Sequence, residues 1–304
     1  MGEDGGVTDS PLTAWLLAGD PAVRWKVTGD PGDRARIATE GWGARLLAAQ
    51  DPGGTWGGGV YSPKWTSTTY TLLRLAWLGL APGHPRAARG CERLWEWQSR
   101  WRTPETCIAG MLVIVTRAHG YPADRLASLV DWLLGQQQRD GGWNCAAGDD
   151  RGRHSSFHTT ITALEALEAY GRAGEQAHAR GRDFFLRHRL YRSHRTGAVA
   201  VPAATRFPAF PEWHFDVLRG LETFARHGSR DERLSDAVGV VRAKRRRDGT
   251  WPVVAPYPGK QWFEREPRGP SRWNTARALA VLDWWDAGQT MTTRGGGKPL
   301  KRDA

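Results

Sequence analysis

Cysteine is scarce, with three in 304 residues. That is too few for a disulfide scaffold and fits a reducing cytosol. Long apolar runs are missing as well. Nothing approaches the ~20 consecutive residues a membrane-spanning helix needs, so the expectation is a cytoplasmic chain without a transmembrane segment. Met1 to Ser10 is acidic and glycine-rich, unlike a secretory signal. Period-two alternation never persists, which argues against a sheet-based fold. Lysine is nearly absent among the cations: only Lys26, Lys64, Lys244, Lys260, Lys298 and Lys301, so that 37 of the 43 basic side chains are arginine.

What is present narrows the class further. The chain is 40% hydrophobic and 25% charged, apolar enough to bury a core as one large domain or two small ones. The formal charge of +11 would suit nucleic acid if its cations shared one element. They are scattered instead, with one dense run at Arg242, Lys244, Arg245, Arg246 and Arg247, so nucleic-acid binding is a minor alternative. The larger anomaly is the count of 17 tryptophans.

The tryptophans mark a repeat. Gln50-Asp51-Pro52-Gly53-Gly54-Thr55-Trp56, Gln137-Gln138-Arg139-Asp140-Gly141-Gly142-Trp143 and Arg245-Arg246-Arg247-Asp248-Gly249-Thr250-Trp251 share one spacing of glycine and tryptophan. Upstream lie amphipathic patterns: Leu126, Leu129, Val130, Leu133 and Leu134 form one apolar stripe, and Leu234, Ala237, Val238 and Val241 repeat it. Helices over 34–50, 85–99, 122–138, 175–190 and 231–247 follow, with a weaker pair at 11–18 and 21–28. Second helices are expected to begin near Thr66, Pro104, Ser155, Pro211 and Ser271 and to end near Gly79, Gly120, Gly171, Gly228 and Gly288. Aligning them places Thr68, Thr106, His158, His214 and Asn274 at one equivalent position. Long linkers at 197–211 and 252–270 are candidates to cover a site. The expected organisation is a flexible 1–9, a helical domain over 10–289 and a disordered basic tail over 290–304.

The Gln-x3-Gly-x-Trp pattern resembles the QW repeat of squalene-hopene and oxidosqualene cyclases, whose α/α toroid is related to that of protein prenyltransferase β subunits. Arg180-Gly181-Arg182-Asp183-Phe184-Phe185-Leu186 is similar to the start of a QW unit, as is Arg89-Gly90. The resemblance covers residues ~34–288. It implies an all-α fold, a single α/α toroid of five to six helical hairpins, in which glutamine bonds helix ends and tryptophan packs on the next hairpin. The family's acid motifs are missing. No DxDD occurs, Asp149-Asp150 lacking the first aspartate; Glu105-Thr106-Cys107 is not DCTAE, and no DDxxD is found. Trp143-Asn144-Cys145 is the nearest approach to the Asp-x-Cys zinc pair of the prenyltransferases.

In a toroid of this kind the second helices line the pore, and the aligned residues would ring its mouth. His158 and His214 stand out because histidine is a poor helix cap; Thr68, Thr106 and Asn274 also suit caps. Candidate catalytic residues are His158, His214, Asp216, Asn274 and Glu105, either carboxylate serving as an acid if burial raised its pKa. Phe157, Trp213, Trp273, Thr68 and Thr106 are candidate substrate-binding residues, the aromatics equally suiting helix packing. Cys107, Cys145, His158 and His214 have the chemistry of zinc ligands, although the leading reading requires no cofactor. Tyr191-Arg192-Ser193-His194-Arg195 and the segment from Lys260 to Asn274 offer arginines to a diphosphate or carboxylate. The resemblance implies a terpenoid cyclase- or prenyltransferase-like enzyme acting on an isoprenoid or other small hydrophobic substrate. The alternatives are an acid–base or zinc enzyme on a polar substrate, and a non-catalytic binding module using the basic surface.

Overall fold

Helix starts in this chain are set by residues that suit them. The computed structural model describes residues 10–100, 105–145, 154–171 and 174–294, with side chains described up to 287. Segment 1–9, expected to be flexible, the Asp149-Asp150 pair and the tail beyond 294 fall outside the described residues. Ser10, Asp20 and Asp30 each accept a first-turn N–H of α1 (Pro11–Leu17), α2 (Pro21–Thr28) and α3 (Pro31–Arg36), with proline at the first helical position. The second oxygen of Asp20 accepts the Trp42 N–H at 2.7 Å, tying α2 to α4 (Gly41–Ala48).

The remainder is all-α: α5 (Thr68–Leu78), α6 (Pro85–Gln98), α7 (Thr106–Ala118), α8 (Ala127–Gly135), α9 (Phe157–Tyr170), α10 (Glu175–Arg187), α11 (Val217–Arg226), α12 (Ser235–Ala243) and α13 (Arg272–Arg294). The only paired strands among the described residues are Trp251–Pro252 and Pro270–Ser271. The expected helix over 34–50 divides into α3 and α4. Two second helices depart from expectation. Pro211 starts none: Glu212 sits at φ +56°, off the helical path, and Asp216 caps α11 instead. Gly288 stops none either; α13 continues to Arg294, since a glycine inside a helix costs only ~1 kcal/mol.

The tryptophan turns are three copies of one clasp. Trp56, Trp143 and Trp251 are fully buried. Their indole N–H groups donate to the carbonyls of Leu46, Leu133 and Val241 at 2.6, 2.8 and 2.8 Å, satisfying the end of the preceding helix. Their backbone N–H groups donate to Thr68, Thr160 and Thr275 Oγ1 at 3.0, 2.9 and 2.9 Å. The structural register is therefore Thr68, Thr160, Thr275. His158 lies two residues before the clasp position and Asn274 one, because the hydroxyl that holds the tryptophan, not the distance to a glycine, sets the equivalence. Gln50 donates to Gly54 and Arg86 carbonyls, and Gln137 to Gly141 and Ala177, so each glutamine bridges its own turn to the helix after the next, α6 or α10. Gly90 and Gly181 lie against the Trp56 and Trp143 rings, where a Cβ would come within 2.5 and 2.8 Å; only glycine leaves that space.

Helices α5, α7, α9 and α11 are buried on nearly every side, whereas α6 and α10 bury only one. α5 packs on α7, α7 on α9, and α11 on α13. α9 and α11 are joined by Arg219–Glu165 at 2.6 Å and Arg226–Glu168 at 3.2 Å. α13 rests on α1 and α2, α2 touches α4, and α4 touches α5, so the succession of contacts returns to its beginning. Arg272 fastens that junction, donating to the Trp15 carbonyl at 2.8 Å. Charged side chains cross the space between the buried helices: Arg74–Glu212, Arg219–Glu165 and Arg277–Glu222.

Candidate functional site

The ends of the buried helices differ in chemistry, and the histidines lie at the N-terminal ends. His158 is the second residue of α9, and its Nδ1 accepts the Phe215 N–H at 2.8 Å. His214 lies in the loop before α11, not in a helical first turn, and its Nδ1 meets the Pro211 carbonyl at 3.3 Å. The two imidazoles face each other nearly at right angles, 5.6 Å between centroids. The Trp213 and Tyr257 rings cover the two faces of His214, at 3.9 and 3.6 Å, with the Trp65 edge at 5.7 Å. Burial lowers His158 to about 4, with Arg219 adding to the effect. Burial, then the neighbouring His158, lowers His214 to about 3. Both rings are neutral at pH 7, and a neutral imidazole carries one proton. An N–H donating to His158 Nδ1 leaves that proton on Nε2. A carbonyl at His214 Nδ1 requires the proton there and leaves Nε2 bare. The pair thus presents one donor and one acceptor nitrogen.

Asp216 is completely buried. Oδ1 caps α11 by accepting the Arg219 N–H at 2.8 Å, while Oδ2 has no partner. Desolvation raises its pKa to about 6, against the opposing pull of Arg277 and Arg219. A carboxyl moved from its ordinary value to about 6 favours its protonated form in the fold by about 3 kcal/mol. Because the folded value is raised, the stabilisation is fully present below about pH 4 and is lost as pH rises through 6. Asparagine caps as well as aspartate and carries no charge. Asp216→Asn is therefore expected to match the wild type at pH 4 and exceed it by up to about 3 kcal/mol at pH 7.5 in urea unfolding. Equal stability at both pH values would mean that Arg277 and Arg219 fully compensate the carboxylate.

Cys107 and Cys145 meet nearby. Cys145 Sγ accepts the Cys107 N–H at 3.2 Å and lies 3.4 Å from Thr159 Oγ1. The neighbouring Cys107 and the Thr159 hydroxyl hold the Cys145 thiol below its ordinary value, against the opposing effect of burial. The four candidate zinc ligands thus form two pairs, and among the described residues no three His, Cys, Asp or Glu side chains gather as a metal site.

The other sequence candidates are placed apart from the histidines or in packing roles. Thr68 holds Trp56, and Thr106 donates to the Asn144 carbonyl at 3.2 Å. Asn274 is buried and donates to the Phe207 and Pro252 carbonyls, bracing two loops. Phe157 packs among Phe184, Phe185 and Phe215, and Trp273 against Trp42 and Phe210. Glu105 is exposed at the start of α7 and makes no side-chain cap bond. Of the aromatic candidates, Trp213 alone touches a candidate histidine among the described contacts. The dense basic run is neutralised in part locally, by Arg242–Asp286 and Arg246–Asp248.

The C-terminal ends of the same helices surround a cavity of about 490 Å³, of whose lining the sequence candidates include Trp273 alone. Its lining includes Lys26, Arg117, Arg219, Arg226 and Arg277 with Glu165, Glu168 and Glu222, beside Trp77 and Trp273. Arg219 connects the two ends, pairing with Glu165 on one side and donating to the Glu212 and His214 carbonyls on the other. A signal was available: a single charge such as Glu165 in Ala163-Leu164-Glu165-Ala166-Leu167 stands within an apolar helix, where a charge is rarely buried unpaired.

Neither a known protein family nor a curated protein matches the sequence. Among solved structures, the chain is similar to the type II terpene cyclase MstE from Scytonema in its apo form, at 15% identity and a TM-score of 0.31 over 83% of this chain and 96% of that one. A tyrosine-to-phenylalanine variant of MstE matches over the same shares at 15% identity and a TM-score of 0.33. An aspartate-to-alanine variant, in complex with its product merosterolic acid A, does so at 15% and 0.32.

Proposed function

We propose that this chain is an α/α-toroid enzyme performing acid–base chemistry on a small polar organic substrate, with His214 Nε2 as the base and the neutral His158 Nε2–H as a hydrogen-bond donor to the negative charge that develops on the substrate. The complementary protonation of the two neutral imidazoles carries the reading. Both rings and Trp213 are half-buried, so the site is walled yet reachable. Trp65, Trp213 and Tyr257 fix His214 through its ring faces and edge, which lets Nε2 act without losing its orientation. Charged residues across the interior, Arg74, Arg219 and Arg277, favour a polar substrate over a hydrocarbon.

One observation favours a second reading, a terpenoid cyclase-like activity on an isoprenoid. Asp216 combines complete burial, an unpartnered oxygen and a pKa of about 6, the condition of an acid that could protonate an alkene. Product analysis by mass spectrometry separates the two. The full chain would be offered squalene and geranylgeraniol in one arm and a defined mixture of small polar metabolites in the other. The first reading expects turnover of a polar compound that falls about 10²-fold or more in His158→Gln and in His214→Gln and survives in Asp216→Asn. The second expects an isoprenoid converted without change of mass, abolished by Asp216→Asn alone. Turnover that survives both histidine variants refutes the acid–base assignment.

A further inference from the structure

The two half-buried cysteines are brought together by the fold and not by the sequence. Cys107 lies in the first turn of α7, a helix of 13 residues. Cys145 follows the Trp143 clasp, which carries it against α7 and α9. Its sulfur accepts the Cys107 N–H at 3.2 Å and lies 3.4 Å from Thr159 Oγ1. One N–Cα bond beyond that N–H, the Cys107 Cα is no more than about 4.7 Å from the Cys145 sulfur, within the reach of a disulfide. Glu105, Tyr61 and Tyr70 are ionisable groups beside the pair. The third cysteine, Cys91, is completely buried on α6, where desolvation pushes its thiol up to about 12.

We propose that Cys107 and Cys145 form a redox-active pair that cycles between dithiol and disulfide, with Cys145 attacking a peroxide and Cys107 resolving the product. A helix N-terminus and two hydrogen-bond donors stabilise negative charge on the Cys145 sulfur. The Cys145 thiolate attacks one peroxide oxygen and breaks the O–O bond. The sulfur is oxidised to a sulfenic acid, and the other oxygen leaves as hydroxide and takes up a proton. The Cys107 sulfur then attacks the sulfenic sulfur, loses its proton and expels water, closing the S–S bond. Two thiols and one hydrogen peroxide give one disulfide and two waters. A dithiol reductant returns two electrons and two protons by exchange. The disulfide would tie the Trp143 turn to the first turn of α7. This chemistry stands apart from the acid–base reading, and its readout is thiol modification.

The test uses the full, reduced chain. Brief hydrogen peroxide treatment is expected to remove about 2 Da from the intact mass, to give a Cys107–Cys145 peptide and to be reversed by dithiothreitol. Iodoacetamide is expected to label Cys145 at least tenfold faster than Cys91. Cys107→Ser is expected to stop at a sulfenic acid on Cys145 that dimedone traps. Cys145→Ser is expected to leave Cys107 unoxidised, with circular dichroism confirming that both variants fold. The wild-type measurement stands even if a variant does not. Peroxide that leaves Cys107 free while Cys145 proceeds to sulfinic acid would overturn the proposal. So would a mass unchanged by peroxide, or stoichiometric zinc on the reduced pair.

Discussion

Replacing Glu212 with alanine is expected to lower the unfolding free energy by about 3–5 kcal/mol, the cost of leaving a buried charge without its partner. Glu212 is buried and pairs with Arg74, whose side chain is wholly inaccessible. Arg74 Nε donates to Glu212 Oε1 at 3.0 Å, and Gln261 Oε1 accepts from the same guanidinium at 3.0 Å. Gln261 carries no charge and cannot replace the carboxylate. The pair is not a generous contributor in itself. Burial raises the Glu212 pKa even against the pull of Arg74, so desolvation outweighs attraction at this carboxylate. Removing both charges should therefore cost far less than removing one, and the double variant Arg74→Leu, Glu212→Leu should recover most of the loss. Urea unfolding of Arg74→Leu, Glu212→Leu and their double variant gives the coupling directly. A loss below about 1 kcal/mol in Glu212→Ala would show that water or another acid reaches Arg74.

Glu212 also explains where sequence reading stopped. Pro211 has the local character of a helix start, and nothing nearby contradicts it. What overrides it is a partner 138 residues away, which draws Glu212 inward with φ at +56° and delays α11 to Val217. The Arg219–Glu165 pair crosses 54 residues and is equally invisible to periodicity. The tryptophan turns, by contrast, are local: glutamine (Arg245 in the third turn), glycine and tryptophan within seven residues carry their own bonding pattern, and each occurs where the spacing places it. The mouth residues fall between these cases. His158 and His214 could be singled out as poor helix caps, and the structure brings them together. The stacking of His214 on Tyr257 depends on a loop 43 residues farther along and had no local sign. Cys107 and Cys145 were legible as reactive types, but their meeting as a pair depends on the Trp143 turn.

That dependence makes Trp143 the residue through which fold and chemistry are joined. Trp143→Ala is expected to cost about 3–5 kcal/mol, the usual range for emptying a fully buried aromatic site. Part of that is the void left beside Gly181 and Leu164, which lie together at the ring's edge. Part is the orphaned Leu133 carbonyl, which loses its indole donor. The backbone bond from residue 143 to Thr160 Oγ1 does not need the side chain, so the turn is expected to loosen and not vanish. Thr160 adjoins Thr159, the partner of the Cys145 sulfur, and lies two residues beyond His158. A loosened turn should separate Cys145 from the first turn of α7. Trp143→Phe retains most of the ring volume but cannot donate to Leu133, and is expected to cost less than half as much. Peroxide treatment of this milder variant should give a markedly smaller yield of the Cys107–Cys145 disulfide. Trp56→Phe, at the equivalent clasp between α4 and α5, should lose comparable stability and keep the disulfide yield. Equal yields in all three proteins would mean that the cysteines are positioned without the clasp.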